Sequence, residues 1–493
     1  MTAISALIQR KPLLWTALFL VLVKSIQLAI DSKALFYFDS GAYLINALGV
    51  AFVAERSYLY GWLIRFVALP FHSLRAIVVM QVAIGALTAW LLALVLTRYL
   101  KTREWIAIAA ALVFAFDPVQ IVHEHLILSE NTTLLVAATY LVAALGYLEK
   151  PAPWKLSLLA FLGTALVGLR MVYFPVVMAS AVLLPLLVRL TTRRMLAFAL
   201  AVSCGSTALL HLGYRHLTGH LAGREPAYHY ITGFILAAGT APLFRPEDID
   251  DPRVAAAVAE QNKSVLPLWD RDRRGDLLFA PEGFSVRLIA QFHGDHKAAN
   301  MAAQLLARRA ILRNPFGFLR LGLHNYYRYW QGIPTLRWSL PWENGSPPRS
   351  EVQSADLQLI RTAFGADVSN DYLVQTPTRR YHIFGRYWCV FLLLSPYLGG
   401  LAAFVTRRDR TGVMFLFAWS GLLLASMCIG GIEHCYRYLH PFSFTGLAAV
   451  AVLLDLKMQT RRDGTTAPRQ TEGPAAMVPA SAARAALPPA GMR

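Results

Sequence analysis

Charged residues are scarce in this sequence. Only 15% of the 493 residues are charged, whereas 56% are hydrophobic, and the mean hydropathy is +0.45. A chain this apolar cannot cover a single soluble domain with a polar surface. The composition therefore excludes an ordinary soluble enzyme and predicts a membrane protein that crosses the bilayer several times.

Acidic residues and cysteines are also few. Acidic residues number 29 against 47 Lys and Arg, which gives a formal net charge of +18. Because most of the basic residues flank apolar runs, the excess indicates membrane topology, and no nucleic-acid partner is predicted. Neither a zinc site nor a disulfide framework is predicted, because no metal-ligand spacing connects the four cysteines, which are Cys204, Cys389, Cys428 and Cys435.

Ten apolar runs are candidate transmembrane helices, since a helix needs about 20 apolar residues to cross the hydrocarbon. The first run follows Arg10 and Lys11 and has no small-residue cleavage site, so we interpret it as a retained span rather than a signal peptide. The predicted fold is an all-α membrane protein with about ten spans. The runs lie at about residues 12–30, 74–96, 105–117, 130–148, 155–170, 172–188, 196–213, 387–405, 412–430 and 441–456.

Short basic loops orient these spans, because Lys and Arg in short connections stay on the cytoplasmic side of a membrane. Every second connection is basic, as at residues 98–103 and 407–410. This pattern predicts a multi-pass protein of the inner (cytoplasmic) membrane with both termini in the cytoplasm. The segments predicted to face the periplasm are 31–73, 117–130, 214–386 and 431–440.

Four regions follow from this topology. Within the long external region, residues 295–330 have helical apolar spacing with a break at Asn314-Pro315, and they end in an aromatic cluster typical of a helix lying along the membrane. The end of the chain is rich in Ala, Pro and Thr without periodicity, which predicts a disordered cytoplasmic tail. The regions are a transmembrane module of about seven spans (1–213), an external loop region with interfacial helices (214–386), the last spans (387–456) and the tail (457–493).

Polar residues gather at the outer ends of the spans. The first external loop contains Asp39, with Tyr43, Tyr58 and Tyr60 beyond it. Because the low dielectric beside hydrocarbon favours a neutral carboxyl, an ionised Asp39 would need a cation, a metal or hydrogen-bond donors as partners. A solvated loop acid is the alternative interpretation.

The second external loop, residues 116–131, contains three acids and two histidines between two apolar spans. Carboxylate and imidazole groups are ordinary ligands of divalent cations, so Asp117, His123 and Glu124 are candidate metal ligands. In an extended segment His123 and His125 would share a face, whereas on a helix they would diverge. Interfacial histidines satisfied by water or backbone are the alternative.

Two arginines face the same side of the membrane in this topology. Arg170 lies in the turn between the fifth and sixth spans, and Arg437 precedes the last span together with His440. Arginine recognises phosphate through a planar fork of donors and stays charged beside a membrane, so both positions suit a lipid phosphate headgroup. Arginines that snorkel to ordinary lipid phosphates are the alternative.

These motifs, in this order, resemble the GT-C superfamily of polytopic glycosyltransferases, which use polyprenyl-phosphate-linked sugars and include protein O-mannosyltransferases and lipid A aminoarabinose transferases. The resemblance covers about residues 10–215 and, more loosely, 387–456, whereas the external region matches only in position. The motifs that carry it are Asp39-Ser40-Gly41-Ala42-Tyr43-Leu44, Ser57-Tyr58-Leu59-Tyr60-Gly61-Trp62, Asp117-Pro118 through Leu128-Ser129-Glu130, and Arg437-Tyr438-Leu439-His440-Pro441.

The resemblance implies that Asp39 is the catalytic carboxylate of the first loop and that Glu130 takes the place of the second-loop acid, with Asp117 and Glu124 as competitors. Asp39 would deprotonate a hydroxyl acceptor on a lipid, glycan or protein, and the direct attack would invert the anomeric carbon. A divalent cation is an implied cofactor, although Ser40 stands where family members often have a second acid. The implied substrate-binding residues are Tyr43, Tyr58, Tyr60, Arg170, Arg437 and His440.

Two other membrane functions stay open. One is a transporter or flippase of lipid-linked sugars, and the other is a ligase or polymerase of surface polysaccharide. Transporters usually place essential charges near the bilayer midplane, whereas the charges here concentrate at the outer ends of the spans, with Lys24 as the main exception. A ligase or polymerase would need arginine and histidine in the long external loop instead of Asp39.

Overall fold

The computed structural model describes most of the chain. The predicted flanking charges Arg10, Lys11, Arg407 and Arg408 lie outside it, as does Cys435. The described residues are 12–37, 39–49, 56–188, 192–263, 274–275, 277–278, 280–332, 354–365, 376–406, 410–431 and 436–465.

The described chain is helical, and its single isolated β-bridge joins Leu35 to Leu126. In chain order the helices are α1 (Pro12–Ile30), α2 (Ser40–Leu48), α3 (Tyr58–Val67), α4 (Arg75–Leu94), α5 (Glu104–Ala115), α6 (Pro118–His125), α7 (Glu130–Glu149), α8 (Pro153–Leu169), α9 (Phe174–Leu187), α10 (Arg193–Ala222), α11 (Thr232–Thr240), α12 (Pro252–Lys263), α13 (Phe284–Gln291), α14 (His296–Arg313), α15 (Pro315–Gly332), α16 (Ser354–Phe364), α17 (Pro377–Tyr381), α18 (Gly385–Val405), α19 (Arg410–Gly430) and α20 (Pro441–Thr465).

Each of the ten predicted spans is a helix in the structure. Seven helices of the described chain are long and apolar enough to cross a membrane, namely α1, α4 with its continuation to Tyr99, α7, α10, α17 joined to α18, α19 and α20. The pair α5 and α6, bent by 51°, adds an eighth if it counts as one span, while α8 and α9 are shorter apolar helices. The structure therefore has seven or eight candidate spans, and the number ten stays a prediction.

Two helices continue beyond the approximate ends predicted for their apolar runs. Helix α10 passes residue 213 and ends at Ala222, where Gly223 adopts a left-handed conformation (φ +60°) and Arg224 N–H donates to the carbonyl of Gly219. This is the usual way in which a glycine terminates a helix. Helix α20 passes residue 456 and ends at Thr465, so the predicted tail begins as helix, and the rest of it lies outside the described residues.

The second external loop forms a helix, α6. Asp117 begins it by accepting hydrogen bonds from the N–H groups of Val119 and Gln120, and Pro118 occupies the first turn, where its missing N–H is not needed. Helix α6 packs against α4 at Gly85, where an added Cβ would lie 1.8 Å from Glu124 Oε1. The glycine therefore makes room for a buried carboxylate between two helices.

The external region has its own apolar core, built from helices α11 to α15. The predicted break at Asn314-Pro315 is confirmed, because α14 ends at Arg313 and α15 begins at Pro315. Helix α15 packs against α19 and turns Phe316, Leu319 and Leu323 outward. Such an exposed apolar stripe fits the predicted interfacial helix, whose position in the bilayer stays a prediction.

The long helices have one end at a cluster of buried charges and the other end at a second set of ion pairs. Glu130 begins α7 in the cluster, whereas Glu149 at its other end lies 3.9 Å from Arg98. Asp455 near the end of α20 lies 3.4 Å from Arg103. The loops at residues 98–103 and the end of α20 therefore share one side of the molecule, as the topology requires.

Candidate active site

Five charged residues from separate parts of the chain form one buried network. Asp39 precedes α2, Arg56 precedes α3, Glu130 begins α7, Arg170 follows α8 and Arg437 precedes α20. Together the three guanidinium groups and two carboxylates have a formal charge of +1. The topology predicted that all five residues share a side, and the structure brings them into one network.

Arg437 connects the two carboxylates. Its Nη1 donates to Asp39 Oδ2 at 2.8 Å, and its Nε lies 3.6 Å from Glu130 Oε1. Arg56 Nη2 donates to the other oxygen of Asp39 at 2.6 Å, and Arg170 Nη2 donates to Glu130 Oε1. Both oxygens of Asp39 are therefore held by arginines, which explains why its side chain makes no cap hydrogen bond to α2.

The charge state of Asp39 follows from these partners. Burial raises the pKa of Asp39, but the charges of Arg437 and Arg56 lower it by more, so the pKa lies well below its usual range. Asp39 is therefore an anion at neutral pH. In this arrangement it is also a weak base, because a carboxylate stabilised by two cations has little affinity for a proton.

Aromatic rings orient the arginines. The guanidinium carbon of Arg437 lies 4.7 Å from the ring centre of Tyr37 and 5.1 Å from that of Tyr438. The Tyr438 ring also lies 5.7 Å from the guanidinium of Arg170. These cation–π contacts help to fix the orientation of the two guanidinium groups.

His123 and His440 are stacked beside the network, with ring centres 4.4 Å apart and planes 7° from parallel. His123 Nδ1 lies 2.7 Å from the carbonyl of Val119, and His440 Nε2 lies 2.6 Å from Gln120 Oε1. Because α6 is a helix, His125 points elsewhere, and its Nδ1 lies 3.0 Å from the carbonyl of Lys33. The two loop histidines therefore diverge, as expected for a helix.

The three predicted metal ligands have separate partners. Glu124 forms a buried ion pair with Lys24 at 2.8 Å, whereas Asp117 caps α6 and accepts a hydrogen bond from Ser443. Within the described residues, no three His, Cys, Asp or Glu side chains form a group that could hold a metal ion. Asp117, His123 and Glu124 therefore do not converge on a common point, and a divalent cation in this site stays a prediction.

The three candidate tyrosines differ in position. The Tyr43 hydroxyl lies 3.2 Å from Ser129 Oγ, and burial raises its pKa. Its ring meets the ring of Tyr60 edge-on at 4.9 Å, and the Tyr60 hydroxyl donates to Gln81. Tyr58 is half-buried and packs against Trp62. Tyr43 therefore contacts Ser129, the residue before Glu130, and the ring of Tyr60 packs against the ring of Tyr43.

A small cavity adjoins the network. Four predicted site residues, Glu130, Arg170, Arg437 and His440, line one part of it, and the rest of its wall is mainly apolar, with Val172, Leu423 and Met427. The cavity has a volume of about 30 Å³, which is room for about two water molecules. A larger ligand would therefore have to widen it.

Several residues of the site were not assigned a role from the sequence. Arg56 is the second cation on Asp39, Gln120 binds His440, and Tyr173 lines the cavity. Gln120 could have been found from its spacing of four residues from Glu124, which places both on one face of a helix. No sequence signal connects Arg56 with Asp39, because packing alone brings them together.

Comparison with known proteins gave no match to a family model, a curated protein or a solved structure. A function for this chain must therefore be inferred from the chemistry of the buried network and its cavity.

Proposed function

We propose that the chain is a glycosyltransferase of the GT-C type, which moves a sugar from a polyprenyl-phosphate carrier to a hydroxyl acceptor on the periplasmic face of the cytoplasmic membrane. One observation carries the proposal. Asp39 and Glu130, expected to act in catalysis, contact Arg170 and Arg437, expected to bind phosphate, although these residues lie far apart in the sequence.

The cavity and its charges suit a lipid phosphate. The network has a formal charge of +1, and both Arg170 and Arg437 offer forks of donors that match phosphate oxygens. The apolar wall with Val172, Leu423 and Met427 would contact the first isoprene units of the carrier. A water-soluble nucleotide sugar would gain nothing from that wall.

Donor binding would activate Asp39. A phosphate that takes the donors of Arg437 would remove a cation from Asp39 Oδ2 and add a negative charge nearby. Both changes raise the pKa of Asp39 towards its ordinary range and make it a better base. Asp39 would therefore become an effective base only when the donor is bound. This control limits hydrolysis of the sugar by water.

The reaction is a single displacement. The acceptor oxygen attacks the anomeric carbon while its proton passes to Asp39, and the bond from that carbon to the phosphate oxygen breaks. The electron pair leaves on the lipid phosphate, whose added charge Arg170 and Arg437 stabilise. The products are an inverted glycoside, a polyprenyl phosphate and protonated Asp39.

Mass spectrometry of polyprenyl-linked sugars in a deletion strain tests this proposal and names the donor. A transferase predicts that one lipid-linked sugar accumulates on the periplasmic face and that Asp39→Asn fails to reverse the accumulation. Asp248→Asn is the matched control, because Asp248 is a buried acid held by Arg313 in the external region. An unchanged lipid profile in the deletion strain would refute the proposal.

A lipid flippase is the second candidate, and one observation favours it. Lys24 in the candidate span α1 forms a buried ion pair with Glu124 in the bent pair of α5 and α6, and buried charges of this kind often mark transport pathways. A flippase predicts that the lipid-linked sugar accumulates on the cytoplasmic face instead. The sidedness of the accumulated lipid therefore separates the two functions.

A further inference from the structure

Three residues that line the cavity carry buried polar atoms without a hydrogen-bond partner among the described residues. The atoms are Glu130 Oε2, His440 Nδ1 and the hydroxyl oxygen of Tyr173. Buried polar groups in native proteins are nearly always hydrogen-bonded, because an unpaired group loses its contact with water and gains nothing in return. The three atoms belong to residues that line one cavity but are themselves closed to solvent, so they are candidate hydrogen-bond partners for a polar ligand that widens it.

Gln120 determines which nitrogen of His440 carries the proton. The Gln120 amide nitrogen donates to Glu124 Oε1 at 2.8 Å and to Asn131 Oδ1 at 3.0 Å. Its amide oxygen therefore faces His440 Nε2, at 2.6 Å. Since an amide oxygen only accepts, His440 Nε2 carries the hydrogen and Nδ1 presents a lone pair.

The orientation of Gln120 is itself fixed. Asn131 Nδ2 donates to the carbonyl of Gln81 at 2.6 Å, so Asn131 Oδ1 must be the acceptor that faces Gln120. A reversed Gln120 amide would place its oxygen against both this oxygen and the Glu124 carboxylate. His440 is fully buried and stacks on His123, and such surroundings favour a neutral ring.

We propose that His440 Nδ1 and Glu130 Oε2 accept hydrogen bonds from hydroxyl groups of the sugar on the donor lipid, with the Tyr173 hydroxyl as a third contact. Gln120 is then a positioning residue that holds His440 in the required tautomer. This inference rests on the proposed function and deepens it. It assigns one part of the cavity wall to the sugar of the donor and the other part to its phosphate.

The chemistry of the atoms favours a sugar over a phosphate at this position. A carboxylate oxygen and an imidazole lone pair both need a hydrogen donor, which a sugar hydroxyl offers and an ionised phosphodiester lacks. The arginines are thus left for the phosphate, and the acceptor atoms recognise the sugar.

Two substitutions at position 440 separate the ring nitrogens. In His440→Gln the longer side chain can place its amide near the position of Nε2 and contact Gln120, but it leaves no acceptor near Nδ1. In His440→Asn the shorter side chain places its amide near the position of Nδ1. The measurement is native mass spectrometry of the full-length protein in detergent, with polyprenyl phosphate and with the polyprenyl lipids extracted from a deletion strain.

The wild-type protein should bind sugar-loaded lipid at least about tenfold more tightly than polyprenyl phosphate. The reason is that polyprenyl phosphate lacks the sugar hydroxyls that donate hydrogen bonds to His440 and Glu130. His440→Gln should reduce this preference to within about twofold without weakening polyprenyl phosphate binding, whereas His440→Asn should keep most of it. Equal weakening of both lipids by His440→Gln, or an unchanged preference, would overturn the inference. If the wild type bound neither lipid, the proposed function would fail as well.

A second measurement does not depend on the sugar. The ¹⁵N spectrum of histidine-labelled protein distinguishes protonated from unprotonated ring nitrogens, and the His440→Asn spectrum identifies the signals of His440. We expect His440 to be unprotonated at Nδ1 and its Nδ1 signal to shift with sugar-loaded lipid but not with polyprenyl phosphate. A hydrogen on Nδ1 in the wild type would overturn the role of Gln120.

Discussion

Arg437 is the residue on which the buried network depends most. Its guanidinium contacts the carboxylates of Asp39 and Glu130 and lies over the rings of Tyr37 and Tyr438. A planar fork can hold two acids and still offer a face to aromatic rings, which a compact ammonium group cannot do. The shape of the side chain should therefore matter as well as its charge.

Substitution of Arg437 should reveal this dependence in two steps. Arg437→Lys keeps the charge but loses the fork, whereas Arg437→Ala loses both, so we expect graded defects in sugar transfer. One lost charge-assisted hydrogen bond costs about 1.5–3 kcal/mol, or about one to two decades in rate. Transfer kinetics with purified donor provide the measurement, and Arg313→Lys, at the arginine that holds Asp248, is the control. Wild-type kinetics in the Arg437→Lys variant would indicate an arginine that only snorkels to lipid.

Asp39 should also give the protein a characteristic dependence on pH. Because its pKa is lowered in the folded state, the unfolded chain binds the proton first as pH falls. The stabilisation by ionised Asp39 is therefore fully present above the ordinary pKa of about 3.9 and is lost below it. Thermal unfolding of wild type and Asp39→Asn should show a constant difference between about pH 8 and pH 5, with a decrease below about pH 4. If the stability difference between the two proteins disappeared between pH 7 and pH 5, the pKa of Asp39 would be raised in the folded state, which contradicts this account.

At the scale of elements, the short helix α6 connects the network to the bundle. One end of it carries Asp117, which caps the helix, and its last turns carry His123 and Glu124. Glu124 reaches Lys24 of α1 through the space that Gly85 of α4 leaves open. The ion pair, the glycine and the helix therefore form one packing unit.

Gly85→Ala should disrupt this unit. Its new Cβ would lie 1.8 Å from Glu124 Oε1 and 2.8 Å from the Gln120 amide nitrogen, so either helix has to move. We expect a loss of about 1–3 kcal/mol of stability from overpacking, and more if the buried ion pair breaks. Gly205→Ala in α10, whose Cβ would meet no atom within 4 Å, is the matched control and should be nearly neutral. Equal thermal stability of the two variants would contradict this description of α6.

The sequence predicts the elements better than the contacts between them. Hydropathy identified a helix at each of the ten apolar runs and the break at Asn314-Pro315, because both depend on local composition. It did not predict α6 as a helix, since eight residues are too few to establish a period. The pairing of Asp39 with Arg437, 398 positions apart, depends on how the helices pack, which no local pattern records.

At the scale of the whole molecule, the charges separate towards two ends. The buried network lies at one end of α7 and α20, and the ion pairs of Arg98 and Arg103 lie at the other. A helix of 20 residues is about 30 Å long, which matches the thickness of the hydrocarbon. The molecule therefore has the dimensions expected if the network sits near one membrane surface.

Cysteine labelling of intact cells tests which surface this is. In a background without the native cysteines, Met301→Cys on α14 should react with a membrane-impermeant reagent, whereas Lys150→Cys after α7 should react only after lysis. Both positions are exposed, so access depends on sidedness alone. The reverse pattern would place the network in the cytoplasm and contradict a periplasmic acceptor.

Sugar transfer by purified protein tests the central claim most directly. Proteoliposomes would receive the lipid-linked sugar identified in the deletion strain together with a cell-envelope fraction as acceptor, and released polyprenyl phosphate would be measured by mass spectrometry. We expect release of polyprenyl phosphate with wild type and with Asp248→Asn. Asp39→Asn should remain folded but release polyprenyl phosphate at least about two decades more slowly, as expected when a general base is removed. Release by Asp39→Asn within a few-fold of wild type would contradict the role of Asp39 and with it the proposed mechanism.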